Sequence, residues 1–371
     1  MLSPPPNAPG PVNLADYAAL ARETLPPSSW AYLDGDAADG LTRADNQAAW
    51  QRLKLWPRVL RPLAGGHTRC SLLGHTWPSP LLLAPTAFHR LAHPDAEAAS
   101  ALAAGVLGAG YVLSTLSSLP VETVARCFLP EVQRGPLWFQ LYLQPDRALV
   151  LDLLQRAEAA GCEAIVLTVD APCQGVRDAE RRAGFQLPAG VAAAHLQGHR
   201  PLPIAVPRGG SQLFDGLLHH AATWDDIAWL RAHTRLPLLL KGVLHPDDAR
   251  QAAALQVDGL VVSNHGGRVL DTTPATADAL PRIAEALAAA PGQAPALLVD
   301  GGIRRGTDVL KALALGAQAV LIGRPALHGL AAGGAQGVAH VLRLLRDELE
   351  AAMALTGCAT LADIHPGLLA P

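Results

Sequence analysis

The sequence predicts a closed (β/α)₈ TIM barrel. Three observations predict it. From residue 81 onward, short apolar runs alternate eight times with alanine-rich amphipathic stretches. The runs are apolar throughout, as strands buried on both faces must be, which implies a parallel sheet covered by helices. No Gly-x-Gly-x-x-Gly follows the first run, so the structural alternative, a doubly wound open sheet, lacks its dinucleotide fingerprint. The length of 371 residues divided by about 150 gives two domains, yet α/β barrels routinely run longer as one.

The elements follow in chain order. Residues 1–13, opening "MLSPPPNAPGP", lack the basic and apolar regions of a signal peptide, and their prolines favour an extended tail. Residues 14–39, "LADYAALARETLPPSSWAYLDGDAAD", read as a helical preface packed on the barrel. Strands are expected at 81–86, 111–115, 137–142, 164–170, 236–242, 259–264, 296–302 and 319–324. Helices such as 146–161 and 307–316 lie between them and end in Gly, as helices commonly do. The connection 177–223 is rich in Gly, Pro and His, and a segment that long in a compact domain reads as an active-site lid. The stretch 338–357, "VAHVLRLLRDELEAAMALTG", is an amphipathic helix closing a single domain expected over 14–366.

Composition narrows the function. Half the residues are hydrophobic and 16% charged, which fits a large core and not a disordered chain. A net charge of −3 gives no electrostatic case for nucleic acid or acidic lipid. The five cysteines are dispersed with no C-x-x-C pair, which reads as reduced cytoplasmic thiols without a disulfide frame or a metal site. No apolar stretch reaches transmembrane length.

In such barrels the working residues stand at the C-terminal ends of the strands. Here those ends read Pro85-Thr86, Ser114, Gln140 with Tyr142, Thr168 with Asp170, Lys241, Ser263 with His265, Asp300, and Gly323-Arg324. Any one could be a strand edge meeting solvent; eight converging on one rim make a ligand site. "DGGIRRGTD" and "IGRP", after the last two strands, place glycines and Arg304 and Arg324 where phosphate is expected. A single His is more often a satisfied core residue. His265, however, lies past its strand end, and Asp170 would hold it as a general base. Arg177 and Arg268 flank the same mouth and point to a small carboxylate, the alternative being surface pairing with Asp178, Glu180 or Asp271. Lys241 needs an electron-rich partner to stay charged there.

Taken together, "LAPTAFHRLAHPDAE", "FQLY", "LTVDAP", "SNHGGRVLD" and "LVDGGIRRGTDVLKALALGAQAVLIGRP" resemble the FMN-dependent α-hydroxy acid oxidases and dehydrogenases, in order from about residue 14 to 365. The resemblance implies FMN across the barrel mouth. Pro85, Thr86 and Ala87 would line one side of the ring, and Ser114, Gln140 and Thr168 would bond its edge. Lys241 would stabilise the reduced ring, while Ser263 and Asp300 would meet the ribityl chain. Gly301, Gly302, Arg304, Gly323 and Arg324 would hold the phosphate. Arg177, Arg268 and Tyr32 would bind the substrate carboxylate and Tyr142 its reacting oxygen. His265, oriented by Asp170, would take the proton as an (S)-2-hydroxy acid becomes a 2-oxo acid. It also implies dioxygen as acceptor, hydrogen peroxide as product, and a homotetramer or octamer.

Several positions depart from the family pattern. Leu116 stands where glycolate oxidases carry a large aromatic, which favours a bulkier substrate than glycolate. Ala87, where some dehydrogenases have Gly, tilts towards an oxidase. Val269 replaces a usual Gln, Asp36 a usual Gly, and Cys173 another residue. The segment before residue 14 is too short for a haem domain, and "PLPIAVPRGG" is too Pro-broken for a membrane anchor. The alternatives are a dehydrogenase passing electrons to a quinone or other carrier, and an FMN barrel acting on phosphorylated substrates. The second has no need of His265 and Arg268. A silent barrel kept for binding would be expected to have lost one of Tyr32, Tyr142, Arg177, His265 or Arg268, and all five are present.

Overall fold

A computed structural model describes residues 10–199, 206, 208–290 and 292–371. Most of the Pro-rich tail and the first half of "PLPIAVPRGG" lie outside the described residues.

Eight parallel strands close a barrel. They are Leu81–Leu83, Gly110–Ser114, Leu137–Leu141, Ala164–Thr168, Leu238–Val243, Gly259–Val262, Ala296–Val299 and Ala319–Ile322. Closure is made where the eighth strand pairs with the first, Val320 opposite Leu81 and Ile322 opposite Leu83. All eight expected strands are present. Most end earlier than the sequence implies, so their terminal polar residues stand on loops just past the sheet.

The apolar character of the runs now has its reason. Leu82, Val112, Trp138, Val166, Leu239, Val261, Leu298 and Leu321 fill the barrel interior. Their neighbours Leu81, Leu83, Leu113, Phe139, Leu167, Leu240 and Val299 pack outward against the helices. Alternation is present, but both faces are dry, so it is invisible in hydropathy.

An unexpected hairpin, Cys70–Leu72 with His75–Trp77, plugs the N-terminal end of the barrel. Its Cys70 Sγ reaches the carbonyl of Gln318, just before the eighth strand. The closing helix is longer than expected, spanning Arg324–Thr356, with non-helical backbone at Gly333 and Gly334. Its added first part begins at the barrel mouth. Among its described residues the connection 177–223 carries one short α-helix, Asp178–Arg182, and otherwise single turns of 3₁₀ or π type.

The preface folds as helices Leu14–Thr24, Pro27–Leu33 and Leu41–Arg52. Its loop 34–38 reaches the mouth, where the Ala37 amide donates to Gly267 and the Ala38 amide to Val176. Two carboxylates, Asp34 and Asp36, anchor it. Asp34 accepts from Arg43 and from His328, both at 2.9 Å. Burial works against the Asp34 carboxylate, but His328 and Arg43 outweigh it and hold its carboxyl at about 2. A depressed folded-state pKa contributes stability above the ordinary carboxylate range and loses it as pH falls through the folded value. Asp34→Asn should therefore cost roughly 2 kcal/mol at neutral pH. It should also flatten the acid limb of denaturant stability below about pH 4; an unchanged limb contradicts the ion-pair assignment.

Candidate active site

The C-terminal mouth holds a cavity of about 980 Å³, a size that suits a cofactor together with a small substrate. Of the candidate residues, Tyr32, Pro85, Thr86, Ala87, Ser114, Tyr142, Thr168, Arg177, Lys241, His265, Arg268, Asp300, Gly301, Gly302, Arg304, Gly323 and Arg324 all line it. Gln140, Asp170 and Ser263 stand behind its wall. The departures Leu116, Cys173 and Val269 are on the wall as well.

His265 adopts a left-handed backbone, φ 56°, at the tip of the turn after the sixth strand. Its Nδ1 lies 3.0 Å from Asp170 Oδ1. Burial works against the Asp170 carboxylate, but His265 and Lys241 outweigh it, and its pKa lies below the usual value. An ionised carboxylate only accepts, so in the neutral imidazole Nδ1 carries the proton and Nε2 keeps a lone pair. Gly242 makes room for this pair. A Cβ there would sit 2.5 Å from the Asp170 side chain, on backbone already at φ 110°.

Lys241 finds its partner within the protein. It lies 3.1 Å from Asp300 Oδ2 and donates to Ser263 Oγ at 3.0 Å. Burial disfavours the ammonium, yet Asp300 and Asp170 outweigh it and raise its pKa above the ordinary lysine range. Ser263 Oγ also accepts from the His265 amide, so Ser263 is a strut joining the lysine to the histidine turn. Gln140 is a similar strut. It accepts from Ser114 Oγ at 3.0 Å and donates to Thr168 Oγ1 at 3.0 Å.

The two clamp arginines differ. Arg268 donates to the carbonyls of Tyr32, Leu33 and Gly35, which fastens the preface to the mouth. Arg177 leaves Nε and Nη1 buried without a partner. Burial and the neighbouring Arg268 lower its pKa to about 10, which still leaves it charged at neutral pH. Surface pairing does not account for either. Asp271 instead caps the Leu41–Arg52 helix through the amides of Leu41 and Thr42, and Asp178 faces Arg181 and Arg182. Glu180 alone faces the clamp, from a buried position. Tyr142 is pushed up to about 12 by burial, and burial raises Tyr32 too, so both phenols are neutral O–H donors.

At the phosphate turns the arginines again divide. The Arg324 guanidinium is committed to the carbonyls of Gly266 and Gly35 and to Asp36, the last at 2.7 Å. Asp36, a departure from the family pattern, thus holds a residue expected to face phosphate. Arg304 bonds only its own Ile303 carbonyl, and burial with repulsion from Arg43 lowers its pKa to about 10. Arg304 is therefore the less committed of the two, although Arg324 Nε is also without a partner, and the N-terminus of the Arg324–Thr356 helix offers amides suited to an anion.

Some contributors were not singled out in the sequence. Buried His89 bonds Thr86 Oγ1 at 2.6 Å and Ser100 at 3.0 Å, fixing Thr86; its place three residues after Thr86 was the available signal. Asn264, within the histidine motif, faces away and exchanges paired hydrogen bonds with Asn46 of the preface.

These residues fit FMN. Asp300 Oδ1 is buried without a partner beside the cavity, as a carboxylate awaiting a hydroxyl donor would be. A cation cluster lies at the phosphate turns and apolar walls lie between. The sequence pattern of the FMN-dependent dehydrogenases matches residues 21–371. The chain is 49% identical to an L-lactate oxidase of Alicycliphilus denitrificans, over 98% of this chain and 97% of that one. It is 40% identical to 2-hydroxyacid oxidase 2 of Mus musculus, over 96% and 97%. A solved mandelate oxidase with benzoyl-formic acid superposes with TM-score 0.85 at 40% identity, covering 97% of this chain and 98% of that one. Among the described residues no helix is long and apolar enough to cross a membrane. The chain belongs to the FMN-dependent dehydrogenase family.

Proposed function

We propose that the protein oxidises an (S)-2-hydroxy acid to the 2-oxo acid, with FMN as cofactor and dioxygen as the electron acceptor. The observation that carries this is the 3.0 Å contact of Asp170 with His265, which lines the same cavity as Arg177 and Arg268. Arg177, Arg268 and the Tyr32 hydroxyl bind the carboxylate. The Tyr142 hydroxyl donates to the oxygen that becomes the carbonyl. His265 Nε2 takes the proton, and Asp170 stabilises the imidazolium that forms. Bound FMN supplies a two-electron acceptor that dioxygen reoxidises, giving hydrogen peroxide.

Pro85, Thr86 and Ala87 would line the flavin ring, with Ser114 and Thr168 holding its edge and Gln140 behind them. Lys241, set by Ser263, and Asp300 would hold its pyrimidine and ribityl parts. Gly301, Gly302, Gly323, the Arg304 guanidinium and the Arg324 amide would hold the phosphate. We further propose that the protein works as a cytoplasmic homo-oligomer of four or eight copies.

The cavity wall beyond the clamp is apolar, with Leu116, Leu143, Phe185, Leu187 and Leu196. It favours a substrate side chain larger than the hydrogen of glycolate. Leu116→Trp should lower kcat/KM for an aromatic 2-hydroxy acid about tenfold or more relative to glycolate, as overpacked pockets do. Steady-state rates with glycolate, lactate and mandelate test this. A wild type that prefers glycolate contradicts the bulky-substrate reading.

A further inference from the structure

The carboxylate clamp contains a carboxylate of its own. Glu180 Oε1 lies 3.8 Å from Arg177 Nη1 and 3.9 Å from Arg268 Nη2. Both distances exceed a hydrogen bond. Glu180 Oε1 and Arg177 Nε and Nη1 are all buried without a hydrogen-bond partner, and the three residues line the same cavity. Two guanidiniums and one carboxylate thus surround a gap that none of them closes. Their net charge is a single positive one. A lone guanidinium pair would carry two, and would accept a dianion as readily as a monoanion.

We infer that Glu180 determines specificity by charge: it is the internal counter-ion that sets the clamp to accept one carboxylate and disfavour a second. This rests on the proposed carboxylate-binding role of Arg177 and Arg268. An incoming monoanion brings the gap to neutrality and supplies the acceptors that Arg177 lacks. A dicarboxylate adds a negative charge facing Glu180 across water-excluded space, where repulsion is weakly screened. Burial, which outweighs Arg177 and Arg268, holds the Glu180 carboxyl above its usual range, in keeping with a charge that is short of partners. Removing this charge should tighten every carboxylate, and a dianion most.

The test titrates the FMN-loaded protein with pyruvate, a monoanion, and oxalate, a dianion, following flavin absorbance. Glu180→Gln should bind pyruvate about threefold tighter and oxalate about tenfold tighter than wild type. Glu180→Asp, which keeps the charge, should keep the wild-type ratio of the two affinities. A Glu180 that merely props Arg177 would give weaker binding of both probes in the Gln variant. That result, or an oxalate gain no larger than the pyruvate gain, overturns the inference. A second arm uses wild type alone: 2-hydroxysuccinate should show kcat/KM at least about tenfold below 2-hydroxybutyrate, and equal values overturn it. If wild type binds neither probe, the clamp itself is wrong and the inference falls with it.

Discussion

Replacing His265 with alanine should slow flavin bleaching by a 2-hydroxy acid about 10²- to 10⁴-fold, the range a positioned general base contributes. Bound FMN should remain, because His265 packs against Asp170 and not against the phosphate turns. The Asp170 contact leaves His265 Nε2 as the open basic atom of the imidazole. Lys241 is held as an ammonium by Asp300, the tyrosines are neutral donors, and Asp170 is engaged with Nδ1. Stopped-flow absorbance under anaerobic conditions measures the rate. Retention of more than about a tenth of the wild-type rate contradicts the assignment of the base.

Arg177→Met should raise the dissociation constant of a 2-oxo acid about 10²-fold, the loss expected when one partner of a desolvated charge-assisted pair is removed. Arg177 is the better probe of the clamp because its Nε and Nη1 have no other partner. Arg268→Met should lose binding too, but with a fall in melting temperature, since three backbone carbonyls of the preface depend on it. Arg177→Lys should not restore affinity, because one ammonium cannot reproduce a planar fork. Flavin-absorbance titration and thermal melting separate the two arginines. An Arg177→Met protein with wild-type affinity shows that the carboxylate binds elsewhere.

The barrel was legible in the sequence because strands buried on both faces leave uninterrupted apolar runs, such as Ala164–Thr168. The hairpin Cys70–Trp77 was not, because three-residue strands carry too little pattern to stand out from a loop. Gly333 and Gly334 hid the first part of the closing helix by breaking its periodicity. At the site, position along a strand was readable but depth was not. Gln140 and Ser263 stand at the expected heights, one layer behind the wall. The Arg177–Glu180 spacing was visible as a possible ion pair. Its burial beside Arg268 depends on how the 177–223 segment folds back, which local sequence does not specify. Arg324 shows the same limit, for its guanidinium is claimed by Asp36 from a segment nearly 300 residues away.

Anaerobic mixing of the FMN-loaded protein with a panel of 2-hydroxy acids, followed by air, tests the central claim most directly. A monoanionic (S)-2-hydroxy acid should bleach the flavin absorbance, and air should restore it with one hydrogen peroxide formed per 2-oxo acid. Absence of bleaching by every member of the panel contradicts 2-hydroxy acid oxidation, and bleaching that air does not reverse contradicts dioxygen as the acceptor.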